Sequence, residues 1–266
     1  MGLDGLKFVD PVLTELSRGY TNPELIGHNL FPFATVLEET GQIPQWGKDE
    51  LKIYKTERAY GSDSNIGKTS YANMTPFLLT EHDLMFKIDK RKLTEAFFDV
   101  KKLHTLRAQK AIALEMEVAQ ATLAQDATLY AAANKETVLA GSYLNIVTVD
   151  PIAYIKEKIN ALGQITGTKP NVVELSDRTW DIIQTHPLTK TYLTTPAGTT
   201  TIPEPEDIAK ILKVEKVIIG GAKTLAADDT TTEAIWGNFI VLATVTEPSG
   251  ANRSVYEPNY GYTLRK

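Results

Sequence analysis

From Leu93 to Ala140 the chain contains neither Gly nor Pro, and its apolar residues recur at helical rather than strand spacing. Val100, Leu103, Ala111, Leu114, Val118 and Ala121 fall on one narrow stripe. The residues between them are mostly Ala, Leu, Glu, Gln and Lys, which favour helix intrinsically. This predicts a helix from about Asp99 to Tyr130, some 45 Å long at ~1.5 Å per residue. That is well beyond the usual three or four turns. Its other faces carry too many charges to be buried, so the helix reads as a strut.

Ahead of the helix the pattern differs. Asp10-Pro11 opens a short helix with Val12, Leu13 and Leu16 on one face and Gly19 as its stop. Asn22-Pro23 then turns the chain ahead of Leu25 and Ile26. From Phe31 to Ala72, short strand-like runs (Phe33–Leu37, Leu51–Tyr54) alternate with Gly41, Pro44, Gly47, Gly61 and Gly67. Aliphatic residues are sparse there, so the segment cannot bury much of itself, and a projecting two-stranded loop is the expected shape. Phe77, Leu79, Leu84, Phe86 and Ile88 sit largely at alternate positions and predict a long strand from Pro76 to Leu93.

After the long helix, helices and strands interleave. Asp150-Pro151 starts an amphipathic helix (Ile152, Ile155, Ile159, Leu162) ending near Gly163. Asn171–Leu175 reads as a strand, and Ser176 with Asp177 caps a helix carrying Trp180, Ile182 and Ile183. A Thr/Pro/Gly-rich loop spans Thr189–Pro203, and Pro205-Glu206-Asp207 opens another helix with acids where the helix dipole favours them. Val214–Ile219 and Ile235–Val245 are the remaining strands. The order is mixed α and β, without the regular βαβ repetition of a doubly wound sheet.

Composition narrows the function classes only modestly. The 266 residues are 42% hydrophobic and 23% charged, with net charge -5, as expected of a folded protein with no global bias toward nucleic acid or membrane. There is no Cys, which excludes disulfides and thiolate chemistry. No secretory signal and no apolar run of roughly 18 residues is present, so synthesis in the cytoplasm is expected.

Motifs for catalysis are weak. Gly61-Ser62-Asp63-Ser64-Asn65-Ile66-Gly67-Lys68-Thr69 resembles a phosphate-binding loop, but five residues separate the glycines where that loop needs four. His28, His82, His104 and His186 show no metal-ligand spacing, and no serine elbow occurs. Glu115 and Glu117 diverge by about 200° on a helix and make no carboxylate pair. All of these read as solvated surface, and no catalytic, metal or cofactor residue is assigned. Trp180 and Trp236 lie in apolar runs and read as core. Trp46 sits in the polar projecting loop, where a core position and a subunit contact are both open readings. Lys87, Lys90, Arg91, Lys92, Lys101, Lys102, Arg107 and Lys110 form a basic stretch. It reads either as a solvated face or as a non-specific contact with nucleic-acid phosphates, for which Lys101, Lys102 and Lys110 are the candidates.

The order of elements, together with several stretches, resembles the major capsid protein of tailed bacteriophages, whose fold is named after phage Hong Kong 97 and is shared by encapsulins. Asp10-Pro11-Val12-Leu13-Thr14 through Tyr20-Thr21-Asn22 and Leu30-Phe31-Pro32 resembles its N-terminal arm. Glu115 to Tyr130 resembles the end of its spine helix. Asn171 through Trp180, with His186-Pro187, resembles the entry to its axial domain. Ile235-Trp236-Gly237-Asn238 and Tyr260-Gly261-Tyr262-Thr263-Leu264 resemble its closing strands.

The resemblance implies an α+β chain of Hong Kong 97 type. Its parts would be an N-terminal arm (1–32), an extended β-loop (33–75), a peripheral domain with the spine helix (76–149), a mixed α/β axial domain (150–244) and a C-terminal strand returning to the peripheral domain (245–266). It implies a structural, non-enzymatic subunit that forms pentamers and hexamers of an icosahedral head around double-stranded DNA. A portal and a separate scaffolding protein, or no scaffold, would accompany it, since only about ten residues precede the arm helix. No cross-linking residue can be carried over. The protein would be made in the host cytoplasm and reside in the virion, without a membrane. An encapsulin-type compartment shell is the alternative, and a nucleotide-binding enzyme using Gly61–Thr69 is the third.

Overall fold

A short helical turn, α1 (Gly27–Leu30), leads into β1 (Phe33–Thr35) and then into an antiparallel pair, β2 (Thr40–Gln45) and β3 (Asn73–Leu78). The computed structural model describes residues 22, 24–45, 52–67, 73–91, 99–141, 143–193, 202–227, 230–246 and 259–266. The predicted arm helix after Asp10 and the position of Trp46 lie outside these residues. The β2–β3 register runs from Thr40↔Leu78 to Gln45↔Asn73, so the ladder is two-stranded but its second strand lies beyond the Phe31–Ala72 segment expected to supply both.

Two strand predictions fail here. Lys52–Tyr54 form no strand, and the strand expected over Pro76–Leu93 ends at Leu78. The stretch after Leu78 has another neighbour: His82 lies 3.4 Å from Glu115, and the Phe86 ring packs 5.5 Å from that of His104. At His82 and Phe86 this stretch meets the long helix instead of a neighbouring strand.

The long helix, α2, spans Val100–Gln125. Its 26 residues make about 39 Å at ~1.5 Å each. Asp99 caps it by accepting the Lys102 N–H at 3.0 Å. It stops at Gln125 rather than Tyr130 because Asp126 takes an extended backbone and accepts from both the N–H and the hydroxyl of Thr128, starting a separate 3-10 turn. Its most buried positions are Glu117, Gln120, Ala121 and Ala124, besides Val100. That face is rotated about a quarter turn from the predicted stripe. Leu103, Ala111, Leu114 and Val118 are only half-buried.

Beyond α2 the elements follow the sequence closely. Asp150 caps α3 (Pro151–Thr166) by accepting from the N–H groups of Ile152 and Ala153. The helix passes through Gly163, the predicted stop, and closes at Gly167, whose φ of 81° supplies the left-handed end. Then come β4 (Val172–Ser176), α4 (Asp177–Thr185) capped by Ser176, α5 (Pro187–Tyr192) and α6 (Pro205–Leu212). Strand β5 (Lys216–Gly220), the hairpin β6 (Lys223–Leu225) and β7 (Thr232–Ala234), β8 (Ile240–Ala243) and β9 (Thr263–Arg265) complete the chain.

The strand expected over Ile235–Val245 is thus shortened to β8. Ile235 to Phe239 turn instead, which buries Trp236 and lets the Gly237 N–H reach Gln125 at 2.8 Å. The loop expected over Thr189–Pro203 loses its first residues to α5, which runs to Tyr192; residues 194–201 lie outside the described residues.

A three-stranded sheet, β5–β4–β8, is the centre of the fold, with β5 parallel and β8 antiparallel to β4. All five residues of β4 are buried, so it feeds a core on each face. Val173 and Leu175 pack with Ile152, Ile155, Ile159, Trp180, Ile183, Ile208 and Leu212, where α3, α4 and α6 cover the sheet. Val172 faces the other core, with Ile26, Leu30, Phe31, Ala121, Ala124 and Trp236. Burying each large aliphatic side chain contributes roughly 1.5–3 kcal/mol. Strands β1 and β9 pair in parallel, so residues far apart in sequence meet beside α2. The architecture is α+β.

Candidate functional site

Glu117, on the buried face of α2, organises the second core. Its Oε1 accepts the Ile26 N–H at 3.0 Å and the Trp236 Nε1–H at 2.8 Å, while Oε2 accepts the Gly27 N–H at 2.9 Å. One carboxylate therefore ties the start of α1 and the turn before β8 to the long helix. Gly27 packs closely against this network: a Cβ there would run into the Gln120 side-chain amide and displace it.

Gln120 continues the junction. Its Nε2–H donates to Thr263 Oγ1 at 2.7 Å, and that hydroxyl donates to the Phe31 carbonyl at 3.0 Å. Gln125 Nε2 donates to the Ile235 carbonyl at 3.0 Å. Tyr260 stacks near Phe31 and Tyr130, and the two tyrosine hydroxyls share a hydrogen bond. Burial, then that bond, raises the Tyr260 pKa far above the ordinary phenol value. Glu174, on β4, is 1% exposed, and neither carboxyl oxygen has a hydrogen-bond partner among the described residues. Burial, reinforced by the charge of Glu117, pushes its pKa from 4.5 up to about 8.

The projecting segment is the opposite in character. Ile53 and Ile66 are 95% and 91% exposed, and Leu37, Tyr60 and Leu78 also face solvent. Lys101, Lys102 and Lys110 are all exposed on α2. At about 100° per residue, Lys102 and Lys110 lie roughly 80° apart around the helix, whereas Lys101 and Lys110 lie about 180° apart. Hence α2 brings Lys102 and Lys110 to one side and turns Lys101 away from Lys110.

Over 266 aligned residues the chain is 36% identical to the major capsid protein of Burkholderia phage BcepMu, covering 99% of this chain and 85% of that one. The chain belongs to the family of phage major capsid proteins. A crystal structure of a phage-related protein from Bordetella bronchiseptica RB50 has the same fold, with a TM-score of 0.68 over 96% of this chain and 82% of that one, at 24% identity. No family model matches.

As a phage major capsid protein the chain has a structural role in the capsid. Sequence reasoning missed the burial of one junction residue, Glu117, and of one residue elsewhere, His186. Glu117 was expected to be solvated, yet it is 1% exposed, because three N–H donors from distant segments replace its water. His186 was likewise expected at the surface. It is 4% exposed, with Nδ1 accepting the Leu188 N–H at the start of α5 and Nε2 3.1 Å from the Ile146 carbonyl. An isolated Glu on an apolar helix face was the one available signal for Glu117.

The other candidates stay apart. His28 and His82 are exposed and His104 lies against Phe86. Among the described residues no group of three His, Asp or Glu could hold a metal ion. Of the candidate loop Gly61–Thr69, Gly61 to Gly67 are exposed and follow a turn closed by the Ser62 N–H to the Ala59 carbonyl, while Lys68 and Thr69 lie outside the described residues. No helix among the described residues is long and apolar enough to cross a membrane.

Proposed function

We propose that this capsid protein adopts the Hong Kong 97-type arrangement and closes, as pentamers and hexamers, into an icosahedral phage head around double-stranded DNA. In this reading residues 1–32 are the arm, 33–75 the extended loop, 76–149 the peripheral domain built on α2, 150–244 the axial domain and 245–266 the returning strand. The subunit acts by packing and catalyses no reaction. A portal is its assembly partner, together with a separate scaffolding protein or none; host cytoplasm is where it is made, and the virion is where it resides.

The observation that carries this reading is the projecting segment. Ile53, Tyr60 and Ile66 stand in water, and no described residue of the chain covers them. Apolar side chains of this size, displayed together on an extended loop, are what a neighbouring subunit would bury. The phage relative favours DNA over an enzyme cargo as the content of the shell. Lys102 and Lys110 are the better-placed pair for DNA phosphates, and Trp46 is proposed as a subunit contact. Electron microscopy of the purified protein tests the reading: closed shells of pentamers and hexamers are expected, and a protein that stays monomeric at high concentration would overturn it.

A further inference from the structure

Glu174 is a buried acid for which the capsid reading supplies no use. It sits on the central strand, opposite Ile218 of β5 and Val241 of β8, which offer it no polar atom. It shares its face of β4 with Val172, which packs in the core that contains Ala121 and Trp236. The groups that face it there are Glu117 of α2, whose oxygens are already taken by Ile26, Gly27 and Trp236, and Tyr260, whose hydroxyl is bonded to Tyr130. From α1, His28 is exposed to water. No cation acts on Glu174 among the described residues. An ionised Glu174 would add a second buried negative charge beside Glu117, with nothing to offset it.

We propose that Glu174 carries a proton while residues 26–31 are docked against the sheet, and loses it to water when that segment lifts, which makes the docking of the segment sensitive to pH. The geometry acts through a shared core: residues 26–31 roof the same side of the sheet that hides Glu174, and Glu117 holds both the roof and Trp236. The direction follows from the raised pKa. In the docked state the acid titrates at about 8, and once open to water it returns toward 4.5. Docking is therefore fully favoured below the lower value, weakens as pH rises toward the higher one, and changes no further above it. The opening constant rises about tenfold per pH unit across that window.

Hydrogen exchange of the full-length chain, unassembled and in shells, reads this directly at the Ile26 and Gly27 amides. After correction for the pH dependence of intrinsic exchange, their protection should fall about tenfold per pH unit from roughly pH 5 to pH 8 and then level off. In Glu174→Gln, which keeps the shape and removes the titration, protection should be flat with pH. A flat wild-type profile, or a variant with the wild-type slope, overturns the proposal. Should Glu174→Gln fail to fold, infrared difference spectra of the wild type decide. A protonated-carboxyl band that persists at pH 7 and disappears near pH 8 supports the proposal; its loss in the ordinary carboxylate range overturns it.

Discussion

The junction around Glu117 and the segment that carries Ile53 and Ile66 solve opposite problems. In the junction one carboxylate serves three N–H donors from two distant segments, and the surrounding side chains are buried. In the projecting segment the ladder of β2 and β3 supplies backbone pairing, but large apolar side chains are left in water. One region is finished within a single subunit; in the proposed assembly the other is finished by a neighbouring subunit. Stability and assembly should therefore be separable by mutation.

The largest expected effect is at the junction. Glu117→Ala strands the N–H groups of Ile26, Gly27 and Trp236 in an apolar core. It should destabilise the unassembled subunit by on the order of 4 kcal/mol, measured by denaturant unfolding. A loss below about 1 kcal/mol would mean that water enters to replace the carboxylate. Next in size, Trp46→Ala should weaken assembly by ~2 kcal/mol while leaving the subunit folded; unfolding of this variant would place Trp46 in the subunit core.

Smaller still is the effect on folding of paired charges in the projecting segment. Ile53→Asp with Ile66→Asp should shift subunit stability by no more than about 0.5 kcal/mol, since both side chains are already in water. Shell yield in light scattering should nonetheless collapse. Normal shells from this variant would break the contrast between the two regions. The smallest effect concerns DNA. Neutralising Lys102 and Lys110 should reduce the slope of log affinity against log salt by up to about 0.9 for each phosphate left without its lysine, with empty shells still forming. Neutralising Lys101 alone should change it less, because α2 turns that residue away from Lys110.

The same contrast explains what could be read from the sequence. Elements whose causes are local were legible: the helix starts at Asp99 and Asp150, the cap at Ser176, the Gly/Pro-free run of α2, and β4. Trp180 and Trp236 were placed correctly in the core for the same reason. Elements decided by a distant partner were not legible. The alternation after Leu78 mimics a strand, yet its partner is α2. Strand β9, which exists because β1 offers it an edge, was expected only through the resemblance, and Glu117 looks like surface until Ile26 and Trp236 arrive. A charge pattern on one helix carries no information about which backbone amides will converge on it.

The joining of Phe31 to Thr263 also sets a clock. These residues are 232 positions apart, yet a hydrogen bond links the Thr263 hydroxyl to the Phe31 carbonyl beside the pairing of β1 with β9. At about 5–20 residues per second, a ribosome needs roughly ten to fifty seconds to make the second partner after the first. The β2–β3 hairpin, with its ends much closer in sequence, can close long before that. Each chain thus displays the apolar side chains of its projecting segment well before the junction beside α2 can lock. In that interval it is a sticky, half-built subunit, and crowded synthesis of many copies makes that interval the period of greatest risk for off-pathway association.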